Sequence, residues 1–248
     1  MKENPYKHKY FSILGDSIST FEGLSEPKNA VYYNRDKKLE SGVHTYLGTW
    51  FGQVIEHFEG ELLVNHSFSG SKVCKDSFYD YPSHACSKER TSSLGKDGIA
   101  PDVIMVYMGT NDWGAGVQVN PNPNVKTDEE DLTIFSIAYQ KMLERLKTNY
   151  PNAEIWCMTL PIAACWSREN YAFPYCIEGR HIEEYCEAIC KSAKRFGCRL
   201  IDLYHWEEPY DTMDGAHPNA SGMRTIANAV IAAAEKNMEL DDNKENRC

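Results

Sequence analysis

A run of apolar residues near the middle of the chain constrains the fold more than any other feature. Residues 102–108 read Asp-Val-Ile-Met-Val-Tyr-Met, with Pro101 before them and Gly109 after them. A strand that is apolar at nearly every position is typical of a parallel sheet with both faces covered, because neither face meets water. The rest of the chain therefore has to supply helices for both faces of such a sheet.

Further segments have strand character, and helical patterns lie between them. The other strands are predicted at residues 10–14, 62–64, 154–158 and 199–203. Helices are predicted at residues 49–58, 127–149 and 181–196, with a short one around 87–95 and a last one after Pro218. Thr127 with Glu130 is a capping box, which predicts the start of the second of these helices. This alternation predicts an α/β fold with a five-stranded, mainly parallel sheet between two layers of helices.

Composition limits the domain count and the partners. The chain has 248 residues, 42% of them hydrophobic, which suits a single domain with a core over about residues 10–236 and a polar tail at 239–248. A net charge of −10 disfavours a nucleic-acid partner. We see no apolar stretch that could span a bilayer and no signal peptide in the polar residues 1–8, so we expect a cytoplasmic protein without a membrane partner. The alternative that the protein is made as a longer precursor and exported is kept.

Nine cysteines are present, and we expect reduced thiols. Cys186 and Cys190 lie at helical spacing with His181 nearby, which could indicate a metal site. An apolar stripe explains the cysteines better, because a closed set of four ligands is missing. The stripe comprises Ile182, Cys186, Ile189, Ala193 and Phe196. We therefore predict no metal.

Residues of catalytic type follow the predicted strands. Ser17 follows the first strand, Gly70 the second and Asn111 the third, while Asp214 and His217 lie beyond the fifth. Ligands of open α/β sheets bind at the carboxyl ends of the strands. A serine hydroxyl needs a base to take its proton, a histidine can be that base, and a carboxylate can orient the histidine. Glycine N–H groups and an asparagine amide can bind an oxyanion.

These residues resemble the four ordered blocks of the SGNH, or GDSL, hydrolase superfamily. The matching blocks are Gly15-Asp16-Ser17-Ile18, Gly70, Gly109-Thr110-Asn111-Asp112 and Asp214-Gly215-Ala216-His217-Pro218. Ile18 stands where the family name has leucine, and the Gly70 block is the least informative. The resemblance covers about residues 10–230 and implies a three-layer α/β/α sandwich, in agreement with the strand and helix pattern.

The resemblance also implies roles and the absence of a metal or organic cofactor. Ser17 would be the nucleophile and His217 the base, oriented by Asp214. The N–H groups of Ser17 and Gly70 and the side chain of Asn111 would form the oxyanion hole. Asp202, which lies within a strand, is a weaker candidate for the acid because it lacks the spacing of Asp214 from the histidine. Asp16 is expected to support the loops beneath the site.

Long loops predicted at residues 18–46, 114–125 and 160–178 follow strands, so they should gather above the site. We expect Trp113 and His66 to contact substrate, although His66 could equally be a packed loop residue. Polar, aromatic-rich loops without an apolar lid pattern favour a small acyl group. We thus expect a serine ester hydrolase that acts through an acyl-enzyme on small, above all acetyl, esters of a small molecule or oligosaccharide.

Alternatives remain within and outside that class. A longer-chain acyl esterase, thioesterase or lysophospholipase would use the same catalytic residues. A catalytically idle carbohydrate-binding domain is disfavoured because every expected catalytic position holds a competent residue. A phosphate or nucleotide binder is disfavoured because no glycine-rich phosphate loop follows the first strand.

Overall fold

The structure is a computed structural model that describes residues 4–75, 83–122 and 131–245. Its strands are β1 (Tyr10–Gly15), β2 (Glu61–Asn65), β3 (Val103–Tyr107), β4 (Glu154–Met158), β5 (Ala163–Ala164), β6 (Cys176–Ile177), β7 (Arg180–His181), β8 (Arg199–Ile201) and β9 (Tyr210–Asp211). Its helices are α1 (Arg35–Ser41), α2 (Trp50–His57), α3 (Lys88–Ser92), α4 (Thr110–Gly114), α5 (Phe135–Asn149), α6 (Ile182–Arg195) and α7 (Ala220–Glu245).

The five longer strands form one parallel sheet in the order β2-β1-β3-β4-β8. Every residue of the central strand β3 is buried, as its apolar sequence predicts. In the register between β1 and β3, Gly15 lies opposite Tyr107. The ends of these two strands are therefore level, and the segments that follow them start side by side.

Helices cover both faces of the sheet. Helix α2 packs against α7, and α5 packs against α6 and α3. The core beneath α2 includes an aromatic cluster in which Trp156 meets the rings of Tyr6, Phe11 and Phe58 edge-on. The α/β/α sandwich predicted from the sequence is confirmed.

Several predicted boundaries were wrong. Helix α5 begins at Phe135 instead of residue 127, and the predicted cap residues Thr127 and Glu130 lie outside the described residues. The predicted loop at residues 18–46 contains helix α1, which has an Asn34 cap but no apolar stripe that would reveal it. Helix α7 continues to Glu245, so most of the predicted polar tail is helical. Glu239, Leu240, Lys244 and Glu245 are of residue types that favour helices.

Within the described residues, no helix combines the length and the apolar character needed to cross a bilayer.

Gly52 in α2 sits where the backbone of another segment comes close. A Cβ added there would lie 2.1 Å from the carbonyl oxygen of Tyr46, whereas a Cβ at Gly114 in α4 would meet nothing within 4 Å. We expect Gly52→Ala to reduce the free energy of unfolding by roughly 1–3 kcal/mol, because backbone atoms have to move. Urea unfolding of both variants checks this. Equal stability of Gly52→Ala and Gly114→Ala would contradict the packing explanation.

Candidate active site

The nucleophile candidate Ser17 sits in a tight turn directly after β1. Residues 17–19 form a single turn of 3₁₀ helix, and the Oδ1 atom of Asp16 caps it by accepting from the N–H of Ile18 at 3.0 Å. A Cβ at Gly15 would lie 2.6 Å from the Cβ of Ser19 and 2.7 Å from the Oγ of Ser67. Only glycine fits this crowded strand end, which fixes the start of the turn that carries Ser17.

The loop between β9 and α7 brings a histidine and a carboxylate to that turn. The Nε2 atom of His217 lies 2.9 Å from the Oγ of Ser17, and its Nδ1 lies 2.7 Å from the Oδ2 of Asp214. The Oδ1 of Asp214 accepts from the N–H groups of Ala216 at 3.0 Å and His217 at 2.8 Å. One carboxylate thus shapes the loop and holds the imidazole. With the proton on Nδ1, Nε2 is left to accept from the serine hydroxyl.

The carboxyl of Asp214 is ionised in this arrangement. Burial alone would raise its pKa, but the hydrogen bonds from the ring and backbone of His217 and the charge of the ring outweigh it, and they hold the pKa well below its usual range. The site therefore presents a negative charge to Nδ1 at neutral pH. That charge is what an imidazole needs in order to accept a second proton at Nε2.

The two blocks predicted to form the oxyanion hole lie next to each other. The Nδ2 of Asn111, in α4, donates to the carbonyl oxygen of Ser71 at 3.0 Å, which joins it to the residue after Gly70. Asn111 is half-buried, and its amide carries a second N–H that this bond does not use. Gly70 is exposed and has a φ of 78°, a conformation that favours glycine. Their binding of an oxyanion stays a prediction.

Asp112 fixes the helix that carries Asn111 to the same neighbouring segment. Its two carboxylate oxygens accept from the N–H groups of Val73 at 2.8 Å and Cys74 at 3.0 Å. Burial raises the pKa of Asp112 to about 6, against the lowering effect of these hydrogen bonds. Asp112 is fully buried and holds loops together, as expected for a structural residue.

Arg90 is a component of the site that the sequence did not reveal. It is fully buried, and its guanidinium donates to the carbonyl oxygens of Gly15 at 2.9 Å, His66 at 2.7 Å and Ser83 at 2.5 Å, and to the hydroxyl of Ser71. It joins the end of β1 to the segment that follows β2. In the sequence it lies in a charged Lys88-Glu89-Arg90 run, which looks like an exposed surface.

His66, which we expected to contact substrate, is buried and packs against Arg90 and Asn29. Its Nδ1 lies 3.4 Å from the Nε of Arg90 and 3.5 Å from the Nδ2 of Asn29. Burial and the charge of Arg90 lower the pKa of His66 to about 4, so the ring is neutral. The polar cavity that it lines also involves Glu26, Lys28, Glu89 and Ser92, and it includes none of the side chains of Ser17, Asp214 and His217. The structure thus places His66 apart from these three side chains, and its alternative as a packed loop residue fits better.

Trp113 lines a small cavity next to the histidine loop. The cavity is bounded by Tyr107, Thr110, Trp113, Phe173, Gly215 and Ala216, among others. Phe173 stacks on Trp113 with ring centroids 5.3 Å apart. Thr110 precedes Asn111 and Ala216 precedes His217, so the cavity adjoins both blocks. A contact of Trp113 with substrate stays a prediction.

The other candidates from the sequence take no part in this arrangement. Asp202, the weaker candidate for the acid, bonds the ring of His205 at 2.7 Å and the hydroxyl of Thr159 at 3.0 Å. The cysteines that the structure describes are free thiols. In the same part of the chain, no three histidine, cysteine or acidic side chains are grouped so that they could hold a metal ion.

A family model matches the part of the chain that includes Ser17, Gly70 and Asn111. Residues 9–161 match the family model of GDSL-like lipases and acylhydrolases. The chain belongs to this family. Comparison with curated proteins gave no match.

Solved structures of GDSL-like lipases are similar over nearly the whole chain. A protein described as a GDSL-like lipase from Bacteroides ovatus is 27% identical, with 93% of this chain and 99% of that chain covered and a TM-score of 0.70. Another from Bacteroides uniformis is 28% identical, with 92% and 96% covered and a TM-score of 0.68. A Corynascus thermopiles carbohydrate esterase family 2 enzyme with a carbohydrate-binding domain shares the fold, at 15% identity, 95% and 69% coverage and a TM-score of 0.55.

The buried carboxyl of Asp16 makes a pH-dependent contribution to the stability of this GDSL hydrolase. Within the described residues its Oδ2 has no hydrogen-bond partner, and burial raises its pKa from 3.8 to about 6 despite the bond from Ile18 and the nearby charges of His217 and Arg90. The folded protein therefore binds the proton of Asp16 more tightly than the unfolded chain does. The resulting stabilisation is complete below about pH 4 and is lost as the pH rises through about 6.

We expect Asp16→Asn to remove this dependence while keeping the cap, because the amide oxygen can still accept from Ile18. The free energy of unfolding of the variant minus that of the wild type should increase by roughly 3 kcal/mol between about pH 4 and pH 7. Urea unfolding at several pH values measures it. Taking the difference cancels the titration of Asp112, which both proteins share. A pH-independent difference would contradict the prediction.

Proposed function

We propose that this GDSL hydrolase is a serine carboxylic-ester hydrolase that works through an acyl-enzyme. The observation that supports it most is the continuous chain of contacts from Asp214 through His217 to Ser17, with distances of 2.7 Å and 2.9 Å. All three side chains lie at the carboxyl end of the sheet, in the order that transfers a proton away from the serine hydroxyl. The resemblance to the SGNH superfamily assigns the same three roles.

In the first step, the Oγ of Ser17 bonds to the ester carbonyl carbon while its proton passes to the Nε2 of His217. The carbonyl oxygen becomes an oxyanion, which accepts from the N–H groups of Ser17 and Gly70 and the amide of Asn111. The tetrahedral intermediate collapses, the bond to the alcohol oxygen breaks, and His217 returns the proton to that oxygen. Water then attacks the acyl-Ser17 ester by the same route, giving the acid and free Ser17.

Asp214 has two roles in this mechanism. It keeps the proton of the neutral imidazole on Nδ1, so that Nε2 faces Ser17, and it stabilises the imidazolium that forms when Nε2 takes the serine proton. The carboxylate suits both roles because its hydrogen bonds keep it ionised at neutral pH. Asp202 faces His205 and cannot substitute for it.

We further propose that the acyl group is small, acetyl in the first place, and that the alcohol is a carbohydrate or another polar molecule. The cavity beside His217 is small, and the stacked rings of Trp113 and Phe173 wall it in, which leaves little room for a long acyl chain. Trp166 and Tyr175, on the segment between β5 and β6, are exposed aromatic residues of the kind that stack on sugar rings. The shared fold with a carbohydrate esterase is compatible with this substrate class.

Acyl preference is tested with p-nitrophenyl acetate, butyrate and octanoate. We expect kcat/KM to be at least about tenfold higher for the acetate than for the octanoate, because excess methylenes find no apolar space. Ser17→Ala should abolish turnover of all three. Faster turnover of the octanoate would reject the small-acyl proposal and favour a longer-chain esterase, whereas wild-type activity in Ser17→Ala would reject the mechanism. Acetate release from acetylated xylan and pectin fragments then identifies the alcohol.

The role of Asp214 is tested with Asp214→Asn. The amide oxygen can still accept from Ala216 and His217, so we expect the loop to keep its shape while kcat falls on the order of 10⁴-fold, because the carboxylate charge is lost. Circular dichroism and thermal unfolding check that the fold is intact. Asp202→Asn is the matched control, and its kcat should stay near that of the wild type. A similar fall in both variants, or in neither, would contradict the assignment.

A further inference from the structure

A tyrosine outside the four family blocks lies against the catalytic pair. The ring of Tyr32 is parallel to the imidazole of His217, with centroids 3.6 Å apart and an angle of 7° between the planes. Its hydroxyl donates to the Oδ2 of Asp214 at 3.1 Å, the same oxygen that the Nδ1 of His217 contacts. Tyr32 therefore touches both His217 and Asp214 at once.

The segment around Tyr32 is itself anchored to the nucleophile turn. The N–H of Tyr32 donates to the Oγ1 of Thr20 at 2.9 Å, and that hydroxyl donates to the carbonyl oxygen of Ser17 at 2.8 Å. The next residue, Tyr33, is fully buried, and its hydroxyl donates to the carbonyl oxygen of Pro218 at 2.6 Å. Two adjacent tyrosines thus hold the histidine loop, one through the ring of His217 and one through the residue after it.

We propose that Tyr32 is a positioning residue of the triad, with a ring that keeps the imidazole of His217 in the plane of its two hydrogen bonds and a hydroxyl that orients the carboxylate of Asp214. This inference rests on the proposed serine-hydrolase function. Hydrogen bonds at two edges of an imidazole leave it free to tilt about the line that joins them. A ring packed flat against one face removes that freedom.

The ring and the hydroxyl have separable effects. An aromatic face attracts a cation, so the ring of Tyr32 stabilises the imidazolium that forms when His217 takes the proton of Ser17. The hydroxyl supplies a further hydrogen bond to a carboxylate that already accepts from the backbone and the imidazole. Burial and the neighbouring Asp214 raise the pKa of Tyr32 above its usual range, so the phenol stays protonated and remains a donor.

Two substitutions separate these effects, and a distant tyrosine supplies the control. Tyr32→Phe removes the hydroxyl and keeps the ring, while Tyr32→Leu removes both. Tyr6→Phe is the control, because the hydroxyl of Tyr6 also donates to a carboxylate, that of Glu154 at 3.0 Å, at the opposite end of the sheet. All three variants are first compared by thermal unfolding, which reports any loss of stability.

The main readout is the rate at which a fluorophosphonate modifies Ser17, which requires no knowledge of the natural ester. In that reaction the Oγ of Ser17 bonds to phosphorus, fluoride leaves, and His217 takes the hydroxyl proton. We expect the rate to fall about tenfold in Tyr32→Phe and about a hundredfold in Tyr32→Leu, while Tyr6→Phe stays within about twofold of the wild type. The kcat for p-nitrophenyl acetate should follow the same order.

A second readout reports on His217 directly. Proton NMR of the wild type should show a low-field signal from the Nδ1–H that faces Asp214. We expect that signal to shift in Tyr32→Phe, to disappear through exchange with water in Tyr32→Leu, and to be unchanged in Tyr6→Phe. A purely structural role of Tyr32 would lower the melting temperature of its variants without changing this signal in the folded protein.

The outcomes distinguish the two proposals. Equal modification rates and an unchanged low-field signal in the wild type and both Tyr32 variants would overturn the role of Tyr32 and leave the proposed function standing. No modification of Ser17 in the wild type would overturn the proposed function. In that case the NMR signal alone decides whether Tyr32 positions the imidazole.

Discussion

The candidate site depends on a buried guanidinium. Where parallel strands end, their last carbonyl groups lose their partners in the sheet, and buried carbonyls need donors. Arg90 supplies them to Gly15 and His66, from the ends of β1 and β2, and to Ser83. A buried charge is costly to desolvate unless many hydrogen bonds compensate for it. Arg90 has these bonds only if both strand ends stay in place, so it fixes the nucleophile turn relative to the segment that leads to Gly70.

Buried carboxylates supply hydrogen-bond partners to backbone N–H groups, as Arg90 does to carbonyl groups. Asp16 caps the turn of Ser17, Asp112 accepts from the segment after Gly70, and Asp214 shapes the loop of His217. In each case a side chain that looks catalytic in the sequence satisfies the backbone of a loop. Asp214 is the one that also contacts an imidazole, and hydrogen bonds keep it ionised, whereas burial raises the pKa of the other two. Environment thus separates the proposed acid of the triad from its structural neighbours.

Most of the features that could be predicted depend on residues close together in the sequence. Continuous apolar runs marked the strands of the sheet, and the three-residue spacing of Asp214 and His217 placed both on one loop. Contacts between distant segments produce no such pattern in the sequence. Arg90 meets Gly15 across 75 positions and Tyr32 meets Asp214 across 182, and no periodicity links polar residues over such distances. Helix α1 was not predicted for another reason, because its mostly charged sequence has no apolar stripe and resembles that of a loop.

The direction of the side chain decides which neighbours His66 contacts. Nearness to a strand end was right, since His66 directly follows β2, but the side chain turns towards Arg90 and Asn29 instead of the triad. The position of a residue in the sequence predicts that it lies near the end of a strand. It does not predict the direction in which the side chain points.

Tyr32 shows how a contact between distant segments affects the proposed catalytic residues. The family blocks contain the proposed reacting atoms, yet the ring that covers His217 comes from the loop that follows the first block. Two segments far apart in the chain therefore contact the proposed base His217, Asp214 from its own loop and Tyr32 from a loop tied to the turn of Ser17. A change in the 18–46 loop can alter the position of the base without touching the triad. Proteins that share the four blocks can thus differ in activity through residues that the blocks do not include.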